Sequence, residues 1–66
     1  MYTLKVTRFR DGNTATEQGS RVQMLMDHLK AASARHGFGI EELGELHGDI
    51  QRNGDTVGEY EIYGER

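Results

Sequence analysis

The chain has no cysteine, no long hydrophobic run, and a low apolar share of 35% over its 66 residues. Without cysteine, disulfides and thiolate zinc sites are excluded as sources of stability, and a reducing compartment, the cytoplasm, is the expected location. No stretch approaches the roughly 18 apolar residues of a membrane span, and no signal-peptide core is present, so neither a membrane nor export is expected. No low-complexity or single-sign charge block marks disorder. A single folded domain over residues 1–66 is the expectation. A chain this short buries only about 60% of its unfolded surface, so extra support is expected from close packing or self-association, and a homodimer is anticipated.

Chemistry-bearing motifs are also missing. The nine glycines include Gly37-x-Gly39 but no GxGxxG between a strand and a helix and no GxxxxGK[ST], so nucleotide binding has no motif to rest on. His28 and His36 lie about 80° apart around a helix and do not make the i, i+4 pair that chelation on a helix needs. No metal and no other cofactor is expected. His47 is placed near carboxylates, but without a nucleophile or an oxyanion element beside it the reading is a surface histidine, and the chain is expected not to be an enzyme.

Charge is present and uneven. Residues 1–36 hold six cations against three acids, a net of +3, while residues 37–66 hold Arg52 and Arg66 against eight acids, a net of −6. In so small a domain the halves interleave and largely neutralise each other, and any surplus of acid on one surface suits a basic partner.

Ser20 to His36 is the longest periodic segment. Val22, Leu25, Met26, Leu29, Ala32 and Ser33 recur at spacings of three and four and form one buried stripe. Ser20 and Gln23 fit a capping box, and Gly37 supplies a left-handed residue to close the helix. Before it, Tyr2, Leu4 and Val6 alternate with Thr3, Lys5 and Thr7 as a half-buried strand. Asp11-Gly12-Asn13 ends that strand, and a loop to Gly19 follows. After the helix, Gly37-Phe38-Gly39 reads as a corner and Ile40 to Leu43 as one helical turn. Asn53-Gly54 between two alternating runs signals a hairpin. Counting Asp55 into its loop pairs Leu46 with Ile62, Gly48 with Tyr60 and Ile50 with Gly58 on one face, letting the Tyr60 ring cover the bare backbone of Gly48. His47 then faces Glu61, and Asp49 faces Glu59.

The expected fold is therefore α+β: β-α-β-β, a three-stranded mostly antiparallel sheet with one helix packed on one face. The first strand is expected at an edge, antiparallel beside the last, where Lys5 meets the acids. One sheet face is left for solvent or a partner.

Two surfaces follow for a protein partner, whose identity the sequence leaves open. One is the sheet face with His47, Asp49, Glu59 and Glu61; the other is a second helical stripe with Met24 and His28, continued by Ala31 and Arg35. The alternative is nucleic-acid binding by Arg8, Arg10, Arg21, Lys30 and Arg35, against which stand the acidic balance and the lack of interleaved aromatics. In size, acidity, absence of cysteine and lack of catalytic residues, the chain resembles the small single-domain proteins that phages and mobile elements encode, among them anti-CRISPR inhibitors that bind and block a host complex. The resemblance lies in these general properties and implies a non-enzymatic inhibitor.

Overall fold

A computed structural model describes residues 1–64. Six elements follow one another: β1 (Tyr2–Arg8), β2 (Thr14–Gly19), α1 (Val22–Arg35), β3 (Gly39–Glu42), β4 (His47–Arg52) and β5 (Asp55–Gly64). The strands form one five-stranded sheet in the order β2-β1-β5-β4-β3, antiparallel at every pairing. The three-stranded sheet expected from sequence is thus wrong in strand number, and β1 is not an edge strand, although the α+β class and the antiparallel β1–β5 pairing are present.

Both additional strands lie at the edges, and both lack an apolar pattern. In β2, TATEQG, every residue except Gly19 is exposed, so no hydrophobic alternation distinguishes it from the loop expected there. Its pairing is dictated by β1: Tyr2 faces Gly19, Leu4 faces Glu17, and Lys5 faces Thr16. Asp11 shapes the connection by accepting the Asn13 amide at 3.0 Å through Oδ1, and Gly12 turns with φ +70°. In β3 the expected helical turn is instead a four-residue strand whose one aliphatic side chain, Ile40, stands opposite Ile50.

The β4–β5 hairpin has the core register the sequence predicts, with Gly48 opposite Tyr60 and Ile50 opposite Gly58. The turn differs in detail. Asn53 and Gly54 both take positive φ, 54° and 85°, and Arg52 pairs with Asp55, so the loop holds two residues and Val57 is bulged out of the ladder between Gly58 and Thr56. That bulge performs the register shift that a third loop residue would give. Leu46, expected on the buried face, precedes β4 and is exposed, while its carbonyl accepts the Ile62 amide.

Helix α1 buries Leu25, Met26, Leu29 and Ser33 against the sheet residues Leu4, Ile50, Tyr60 and Ile62. The expected capping box does not form. Arg21 is the N-cap, which moves Gln23 to the second helical position, one short of where it would bond back, and its amide donates to Asp27 Oδ1 at 2.8 Å instead. The C-terminus ends as expected: Gly37 is left-handed at φ +76°, its amide donates to the Ala34 carbonyl, and the Phe38 amide reaches back to the Ser33 carbonyl at 2.8 Å. The helix is tied to both sheet edges, through His28 to Glu17 of β2 at 3.3 Å and Lys30 to Glu42 of β3 at 3.1 Å.

Candidate functional site

With the helix on one side, strand alternation assigns the residues of the other side. Glu41 of β3, Asp49 of β4 and Glu59 of β5 are successive cross-strand partners, and Thr7 of β1 continues the row. The adjacent row runs His47, Glu61, Lys5, Thr16. Four carboxylates therefore share an uncovered face with one lysine. Like charges directly opposite one another destabilise a sheet, by tenths of a kcal/mol to about 1 kcal/mol for each pair. Among the described residues, the ion pairs are Arg8–Asp11 and Lys30–Glu42, and the His28 ring lies beside Glu17, so none of these contacts neutralises this face. Among the described residues, its one side-chain hydrogen bond comes from Gln51, whose amide donates to Glu41.

The sequence-selected residues separate cleanly. His47, Asp49, Glu59 and Glu61 come together as expected, with the His47 ring packed over Gly44 in the β3–β4 turn. Glu41 belongs to the same row and was missed, because its position depends on β3. Met24 and His28 lie on the helix layer, not on this face: Met24 is exposed and its methyl end reaches toward Gly19, while His28 is held by Glu17. The basic residues do not form one surface. Arg21 sits at the helix N-terminus and Lys30 is engaged by Glu42, whereas Arg8 and Arg10 lie at the opposite end of the molecule, near the helix C-terminus where Arg35 occupies the last turn. Among the described residues, no group of three His, Asp or Glu side chains is arranged to hold a metal ion, and no helix is long and apolar enough to cross a membrane.

Beneath the acidic row, the Tyr60 ring lies on the helix side of the sheet and is buried. Burial raises its phenol above the usual tyrosine value, and the charges of Glu42 and Asp49 push the same way. The folded state therefore holds this proton more tightly than the unfolded chain does. Stability is complete below the ordinary tyrosine range and is expected to fall as pH rises from about 10 through the raised value. Urea midpoints across this alkaline range should fall more steeply for the wild type than for Tyr60→Phe. Parallel curves would show that Tyr60 does not carry the effect.

Comparison with known proteins adds the family. The family model described as "Mycobacterium phage Gp84-like protein" matches residues 1–65. The chain is 44% identical over 62 residues to the "Gene 84 protein" of Mycobacterium phage D29, a match covering 94% of this chain and 95% of that protein. It is 41% identical over 64 residues to the "Gene 84 protein" of Mycobacterium phage L5, covering 94% of this chain and 96% of that one. No solved structure matches.

Proposed function

The chain belongs to the family of Mycobacterium phage Gp84-like proteins, and from that premise we propose that it is a small phage protein that works by occupying a basic surface of a host protein, without catalysis and without a cofactor. The observation that carries this reading is the row Glu41, Asp49, Glu59 across three adjacent strands of an uncovered sheet face, with Glu61 and His47 beside it. In the free protein these carboxylates repel one another. A partner that brings arginine or lysine relieves the repulsion, so binding energy is gained at a cost already present in the fold. Pairing of two copies through this face would set the same acids against each other, which favours a basic partner there over a second copy. Inhibition of the anti-CRISPR kind is the finer form of the reading: an acidic face of this size competes for a groove that otherwise holds a nucleic-acid backbone.

The test is capture of a mycobacterial protein by the tagged chain, with and without nuclease, repeated with Asp49→Lys and Glu59→Lys combined. Recovery is expected to survive nuclease and to fall by about tenfold or more with the double reversal, since like charges placed across an interface cost several kcal/mol. Loss on nuclease treatment, or loss with Arg8→Glu, Arg10→Glu and Arg21→Glu while the double reversal still binds, would replace this reading with nucleic-acid binding.

A further inference from the structure

The helix-covered side of the sheet is incompletely filled at the end where β5 begins. Gly58 faces the helix there, with Ile50 and Arg8 as its strand partners, and the helix presents Ala32 and Ser33 above it. Three small residues meet where larger side chains would close the gap between layers. A cleft of about 580 Å3 results, within the range of small-molecule sites, roughly 300–1,000 Å3. The sheet itself keeps it open: a Cβ on Gly58 would stand 2.6 Å from the Thr7 carbonyl oxygen, so a side chain cannot be added there without moving β1.

Apolar surface and positive charge converge in the cleft. Leu29, Ile50, Val57 and Phe38 give it hydrophobic walls, and Arg8, Arg10 and Arg52 enter it from β1, the following turn and β4. Arg52 holds its guanidinium 5.5 Å from the centre of the Phe38 ring. Arg8 has one counter-ion, Asp11, at 3.6 Å, with the two side chains 65% and 38% exposed, and neither Arg10 nor Arg52 has an ion pair among the described residues. The helix C-terminus also ends here, and its dipole opposes an anion with about half a charge. Three full positive charges outweigh that half charge, even with Asp11 taking part of one.

We propose that this cleft binds a phosphate monoester of the nucleoside 5′-phosphate type, a flat ring joined to the phosphate through a sugar, with the ring against Phe38 and Val57 and the phosphate among Arg8, Arg10 and Arg52. A phosphate near its full charge matches several guanidinium forks, and a planar apolar body suits the walls and the Arg52–Phe38 stack. The same chemistry is offered by a free nucleotide and by the 5′-phosphorylated end of a nucleic-acid strand. The site lies away from the acidic face and does not depend on the function proposed for it.

The test is a titration of the isotopically labelled chain followed by the backbone amide signals of Phe38, Arg52 and Gly58. With 5′-AMP these signals are expected to shift and saturate with a Kd of about 1 mM or tighter, at least about tenfold below adenosine or inorganic phosphate alone. Arg10→Glu and Arg52→Glu combined should weaken 5′-AMP by about tenfold or more, and the milder Arg10→Gln with Arg52→Gln should weaken it in the same direction. Arg21→Glu, an equal charge change at the far end of the helix, should not. A 5′-phosphorylated hexanucleotide that binds more tightly than both 5′-AMP and its unphosphorylated form assigns the site to a strand end; binding no tighter than 5′-AMP assigns it to free nucleotides. Equal binding of adenosine and 5′-AMP, shifts spread over the acidic face, or 5′-AMP affinity unchanged in both arginine variants would overturn the proposal.

Discussion

Replacing Gly48 by alanine is expected to destabilise the protein by about 3 kcal/mol or more, enough to leave much of the chain unfolded. The cause is steric rather than conformational. Gly48 is the second residue of β4, in a strand where alanine is ordinarily no worse than glycine. Here an added Cβ would run into the Glu41 carbonyl oxygen of β3 and stand 2.6 Å from the Tyr60 hydroxyl oxygen and 2.7 Å from the ring. The tyrosine cannot swing away, because it is a buried core residue, and the carbonyl can retreat only if β3 leaves the sheet. Gly39 in β3 is the matched control. A Cβ there finds its nearest neighbour at 3.9 Å, so Gly39→Ala should change stability by no more than about 0.5 kcal/mol. Urea denaturation followed by circular dichroism measures both. Equal midpoints for the two variants would show that the sheet adapts around Gly48.

The second large effect is expected at Leu25, the fully buried side chain at the centre of the helix stripe. Truncation to alanine removes its apolar transfer energy and leaves a cavity, for a loss of about 3 kcal/mol. At about 0.05–0.15 kcal/mol per residue, a domain of this length holds only some 3–10 kcal/mol in total. Leu25→Ala therefore takes a third or more of it. Met24, its neighbour on the exposed side of the same helix, provides the contrast: Met24→Ala should stay within about 0.5 kcal/mol. A Leu25→Ala loss below about 1 kcal/mol would mean the core closes over the gap.

Sequence pattern reaches only as far as apolar residues recur. Leu25, Met26, Leu29 and Ser33 are legible as one stripe because burial imposes the helical period, and the β4–β5 register is legible because Gly48, Ile50, Tyr60 and Ile62 must share a face. That register also carries the site: once it is set, His47 must face Glu61 and Asp49 must face Glu59. Edge strands escape this logic. Thr14 to Gln18 are exposed, so nothing in their order separates a strand from a polar loop, and β3 is too short to show a period. The loss of β3 conceals Glu41 from the acidic row. The arginine cleft is illegible for a different reason, since Arg8, Arg10 and Arg52 converge only when β1 and β4 flank β5 and the helix ends above Gly58.

The strand order has a consequence for how the chain assembles. Three of the four pairings in the sheet, β1–β2, β3–β4 and β4–β5, join neighbours in sequence, while β1–β5 joins strands more than fifty residues apart at their matched ends, Tyr2 with Gly64. Local hairpins can form within microseconds, so the slow event is expected to be the joining of the two halves along this central seam. One half carries a net +3 and the other −6; Lys5 meets Glu61 along the seam, and Lys30 reaches across to Glu42. The uneven charge of the chain is thus expected to steer its own halves together during folding, and refolding should slow as salt is added.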